Sequence, residues 1–137
     1  MAHTISPHQA LIYVMVTMAG VDRAISDKEL QRIGRIVQTL PAFDGFDPEK
    51  LVFIAQECGE MLQEDDGLSA VLGLIQQDLP PHLHECAYAL AVEVAAVDLA
   101  VQATEIRFLA MLRDRFDMDK LTTAAIERGA QARLARV

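Results

Sequence analysis

At 137 residues, 52% hydrophobic and 23% charged, the chain is long enough for one domain with a real core and too apolar to be disordered. Its net charge of −8 argues against a nucleic-acid interface and against docking on an anionic membrane, both of which need a basic patch. Two cysteines, Cys58 and Cys86, make no disulfide framework and point to a reducing, cytoplasmic setting.

The first seven residues lack the basic flank and cleavage pattern of a signal peptide. The longest apolar tract, residues 87–101, carries Glu93 and Asp98 and is shorter than the ~20 residues that cross a bilayer. It reads as a buried helix, and the chain as not transmembrane. In chain order, Ser6-Pro7 opens a first helix, with Leu11, Val14, Met15 and Met18 on one face and Gly20 and Asp22 at its end. Ser26 caps a second, whose stripe is Leu30, Ile33, Val37 and Leu40. Pro41 stops it, because the ring cannot continue the hydrogen-bond ladder. The loop 42–46 carries two aromatics expected to plug the core edge.

Asp47-Pro48-Glu49 opens a third helix with Leu51, Ile54, Ala55, Cys58, Met61 and Leu62 inward. After the turn Asp65-Asp66-Gly67, a short fourth follows with Leu68, Val71, Leu72 and Ile75. Pro80-Pro81 starts a fifth, Ala-rich helix through Leu83, Cys86, Leu90 and Val94, the expected central and most buried element. Ile106, Leu109 and Leu112 carry a sixth. Asp117 is expected to cap a seventh, with Met118, Leu121 and Ala125 inward and Arg128, Arg133 and Arg136 near the negative end of its dipole. No stretch alternates with period two. The expected fold is all-α, a compact bundle of about seven helices in a single domain over residues 1–137.

The organising feature is a stretch that occurs twice. Val21-Asp22-Arg23-Ala24-Ile25 with Glu29 matches Val97-Asp98-Leu99-Ala100-Val101 with Glu105, both acids at an offset of 76 and without a gap. Each follows an apolar run that opens with a tyrosine, Tyr13 or Tyr88. The copies, about 8–40 and 83–116, suggest two helix hairpins related by a pseudo-two-fold axis. In each, the Asp falls just past one helix and the Glu in the first turn of the next. If the hairpins pack around that axis, Asp22, Glu29, Asp98 and Glu105 converge, and a cation would neutralise them. Oxygen-only ligands favour Ca²⁺ or Mg²⁺, with Mn²⁺ a lesser fit. A plainer reading stands beside it. Ser26-x-x-Glu29 is a capping box, which alone accounts for Glu29 but not for Glu105, and an acid in a first turn also suits the helix dipole.

These paired stretches resemble the tellurite-resistance TerB-like family, whose copies read Asp-Gly, a β-branched residue, three variable residues and Glu. The likeness covers the first six helices. It implies an all-helical fold, a link to tellurite and other stress responses, and divalent-metal binding through Asp22, Glu29, Asp98 and Glu105. The chain departs from the pattern in placing Arg23 and Leu99 where the family has Gly, and Arg23 supplies a charge that opposes the acids.

Other constellations are weaker. In His82-Leu83-His84-Glu85-Cys86 a helix puts His82 and Cys86 on one face and His84 elsewhere, so the run supplies two ligands. Ser6 and Ser26 read as caps, and no glycine-rich phosphate loop is present. No catalytic residue is assigned. The functional expectation is a non-catalytic stress-response module, binding a divalent ion and a protein partner. The alternative is a purely structural interaction or homodimerisation domain without metal. A third, an enzyme using two carboxylates as acid and base, is the weakest.

Overall fold

The computed structural model describes residues 4–20, 24–96 and 103–137. Among them are seven α-helices and no strand: α1 (Pro7–Gly20), α2 (Asp27–Thr39), α3 (Leu51–Leu62), α4 (Gly67–Asp78), α5 (His84–Ala96), α6 (Ala103–Arg115) and α7 (Lys120–Arg133). Short 3₁₀ turns at Pro41–Phe43, Pro48–Lys50 and Pro81–Leu83 each begin with a proline, whose fixed φ suits a first helical position. None of the described helices is long and apolar enough to cross a membrane.

The helix starts follow from local chemistry. Ser6 Oγ accepts from Gln9 N at 3.1 Å while Gln9 Oε1 accepts from Ser6 N at 2.8 Å, a reciprocal capping box on α1. Asp78 Oδ2 accepts from Ile5 N at 2.8 Å, fastening the entry of α1 to the end of α4. At the α3–α4 junction the backbones approach so closely that a Cβ on Gly67 would lie 2.1 Å from the Met61 carbonyl oxygen. Only glycine fits there.

α1 is the central element, where the Ala-rich α5 was expected. All ten residues from Ala10 to Ala19 are buried, as befits a helix that is apolar on every side. It packs on α2, α3, α4 and α5, whereas α5 packs on α1, α6 and α7. The alanines of α5 permit that close approach to α1, yet it is the larger apolar residues of α1 that need covering all round.

Two further expectations are corrected. Ile106 is 55% exposed, and the inward stripe of α6 runs through Glu105, Phe108 and Leu112. α7 begins later than expected. Asp117 takes φ of +49°, ending α6 as a left-handed residue with Met118 N donating to the Arg113 carbonyl at 3.0 Å. The cap is Asp119, whose carboxylate accepts from Thr122 N at 3.1 Å. That shift turns the helix, so Thr123 and Ala130 face inward while Leu121 is 79% exposed and Ala125 is exposed too. The loop aromatics behave as expected, Phe43 buried and Phe46 half-buried against the core.

Candidate functional site

The offset of 76 that relates the acids also relates helix bounds. α2, 27–39, maps onto α6, 103–115, at both ends. It further relates His8 to His84. The His8 ring stacks on Phe43 (centroids 5.6 Å apart, 22° from parallel), and the His84 ring on Phe116 (4.1 Å, 14°). Each Nε2 also engages a backbone carbonyl, Ala42 O at 3.0 Å and Leu79 O at 3.1 Å. Each helix pair therefore has an imidazole in the first turn of its first helix lying on a phenylalanine that follows its second. Among the described residues, neither histidine belongs to a group of three or more candidate ligands that could hold an ion.

Of the four acids, Asp22 and Asp98 lie outside the described residues. Glu29 sits half-buried in the first turn of α2, where the capping box is present: Glu29 N donates to Ser26 Oγ at 3.2 Å and Ser26 N to Glu29 Oε1 at 3.0 Å. Glu105 occupies the equivalent first turn of α6 and is buried, with 7% of its surface accessible. Neither Glu29 nor Glu105 is without a partner. Among the described residues, no group of three or more His, Cys, Asp or Glu is placed to share an ion.

A cleft of about 340 Å³ lies at the C-terminal end of α1. Gly20 and Ala24, which flank the segment 21–23, line it together with Val16, Ile25, Ala55 and Gly59.

Comparison with known protein families, with curated proteins and with solved structures finds no match.

The two tyrosines that open the apolar runs have opposite fates. Tyr88 Oη donates to Glu127 Oε2 at 2.5 Å and accepts from Arg113 Nη1 at 2.7 Å, with the Arg113–Glu127 pair at 3.6 Å, so one hydroxyl joins α5, α6 and α7. Its hydroxyl is pushed up to about 12, chiefly by burial and then by Glu127, with Arg113 opposing. Tyr13 is fully buried and its Oη has no hydrogen-bond partner among the described residues. It too rises to about 12, through burial first and then the charges of Glu57 and Cys58. Nothing in the sequence foretold the Tyr88 network, whose members lie 25 and 39 residues apart.

Cys58 is fully buried, its Sγ 3.6 Å from Thr17 Oγ1 and donating to the Tyr13 carbonyl at 3.9 Å. Burial drives its thiol up to about 12, which disfavours the thiolate at neutral pH. Cys86, half-buried, is shifted the same way for the same reason.

Proposed function

We propose that the chain is a non-catalytic, TerB-like stress-response module with an internal pseudo-two-fold, which holds a divalent cation through Asp22, Glu29, Asp98 and Glu105 and presents a surface to a protein partner. The observation that carries this reading is Glu105. A carboxylate in the first turn of a helix can be satisfied at the surface by the dipole alone. Glu105 is instead buried, at the place the internal offset assigns to Glu29, as befits a carboxylate that serves the inside of the fold. Oxygen donors of this kind suit Ca²⁺ or Mg²⁺. The ion would hold the start of α2 near the cleft that Gly20 and Ala24 line at the end of α1, which gives a partner something to read. Tellurite and cytoplasmic location belong to the same reading through the family resemblance.

A second reading, a structural interaction domain without metal, is favoured by one observation. The Ser26–Glu29 box repeats on α1 as Ser6–Gln9, where the second member carries no charge. Capping in this fold does not require a carboxylate, and Glu29 is accounted for without an ion.

Thermal melting of metal-stripped protein with and without Ca²⁺, Mg²⁺ or Mn²⁺ separates the two. An ion at ~100 times its dissociation constant adds about 2.7 kcal/mol. The metal reading expects an ion-specific rise in melting temperature that Asp22→Asn and Asp98→Asn both remove. A melting temperature indifferent to all three ions overturns it.

A further inference from the structure

The α3 helix carries a face that the fold leaves uncovered. Phe53 is 65% exposed and its neighbour Val52 49%. At about 100° per residue, Phe53, Glu57 and Glu60 fall at i, i+4 and i+7 within an arc of about 60°, and Glu64 follows in the turn just past the helix. Glu60 and Glu64 are exposed, and Glu57 is half-buried. At the N-terminal end of this face a groove of about 680 Å³ opens between the starts of α1 and α3, where Phe46, Phe53 and Ile54 line it together with Asp47, Glu49 and Lys50.

Charge makes the face one-sided. Lys50 is the sole Lys or Arg between Arg35 and Arg107, a stretch holding thirteen Asp and Glu. The described ion pairs, Arg113–Glu127 and Arg133–Glu93, belong to other helices. Among the described residues none of Glu49, Glu57, Glu60 and Glu64 pairs with a cation. An exposed aromatic beside a concave groove with an apolar side is the usual form of an interface anchor, and unpaired glutamates alongside it, outnumbering Lys50, select a cationic ligand.

We infer that the Phe53 face of α3 and the groove at its end form a docking surface for a basic amphipathic segment of a partner protein. An apolar side chain of that segment seats in the groove against Phe46 and Phe53, and its Lys or Arg side chains lie along Glu57, Glu60 and Glu64. A second copy of the chain is the poorer occupant, because a two-fold contact through this face would set glutamates against glutamates. The inference rests on the partner-binding half of the function proposed above and is independent of its metal.

The test is fluorescence anisotropy of a labelled synthetic Leu/Lys amphipathic peptide titrated with the full chain in EDTA, with a labelled oligolysine as comparison. Saturable binding of the amphipathic peptide is expected, weakened roughly tenfold or more by Phe53→Ser, as for a buried anchor. The combined Glu57→Gln, Glu60→Gln and Glu64→Gln variant should weaken it as well and flatten its salt dependence. Phe53, Glu60 and Glu64 are exposed and Glu57 is half-buried, and unchanged thermal melting confirms that the variants fold. Equal affinity of the parent and Phe53→Ser overturns the inference, as does oligolysine binding as tightly as the amphipathic peptide. Concentration-dependent light scattering that Phe53→Ser abolishes, without peptide binding, overturns it in favour of a second copy. Because EDTA removes the ions, failure here leaves the metal-dependent melting untouched, and an ion-indifferent melt leaves this binding untouched.

Discussion

The imidazole of His84 lies flat on the ring of Phe116, 4.1 Å between centroids and 14° from parallel, while its Nε2 meets the Leu79 carbonyl at 3.1 Å. One side chain thus ties the turn before α5 to the residue just past α6. His84→Ala should cost about 2 kcal/mol, a hydrogen bond and a ring stack together. A double-mutant cycle with Phe116→Leu, read from urea midpoints, should show coupling of about 1 kcal/mol. Strict additivity would mean that the stack contributes only burial.

The tyrosines should respond oppositely to loss of a hydroxyl. Tyr88→Phe removes the group that Arg113 and Glu127 share, at a cost of about 1–3 kcal/mol. Tyr13→Phe removes a buried hydroxyl that has no partner among the described residues, and should be neutral or mildly stabilising. Chemical denaturation of the two single variants decides this. A large loss from Tyr13→Phe would show that its hydroxyl is satisfied in solution.

Alkaline pH should unfold the chain cooperatively. Tyr13 and Tyr88 rise from 10.0, and Cys58 from 9.0, to about 12, so the native state holds protons that the unfolded state releases. Their stabilising contribution is complete below the unfolded values and is lost as pH climbs towards 12, on the order of 2–3 kcal/mol per tyrosine. With two tyrosines and no tryptophan, ultraviolet titration reads tyrosinate directly. Absorbance should stay flat through pH 10 and rise together with loss of helical circular dichroism. A free titration near pH 10 in folded protein would refute the burial argument.

Backbone substitutions offer a sharper check on the turns. Gly67→Ala drives a Cβ into the Met61 carbonyl and should cost about 1–3 kcal/mol or more. Gly59→Ala meets nothing within 4 Å in the middle of α3 and should stabilise by about 0.5–1 kcal/mol. Asp117→Gly should likewise gain about 0.5–1 kcal/mol, since Asp117 already sits at φ of +49°. Thermal melts of the three variants should move in those directions.

The sequence made the helices legible because serine, aspartate and proline punctuate them. Ser6, Ser26 and Asp47 cap as their spacing implies, and the capping box at Glu29 is present. Less legible was which helix lies at the centre. Stripe-counting asks which face is apolar, and α1 has no polar face to contrast, whereas alanines flagged α5 by size alone. Asp117 and Asp119 are both plausible caps by residue type, and only the left-handed turn distinguishes them. At the acidic site, Glu105 announces its first-turn position but not its burial, which is set by Phe108 and Leu112 turning the same way. Phe53 was detectable, since it falls outside the Leu51, Ile54, Ala55 and Cys58 stripe.

A helix buried along ten consecutive residues and touched by four others belongs to no smaller piece of the chain. Cleavage within the exposed turn at residues 63–66 would leave α1, α2 and α3 on one fragment and α4 to α7 on the other. Each fragment would then present half of an apolar seam with nothing to close it. Alone they should be insoluble or unstructured, and mixed together they should reassemble, with α1 as the keel on which the two halves meet.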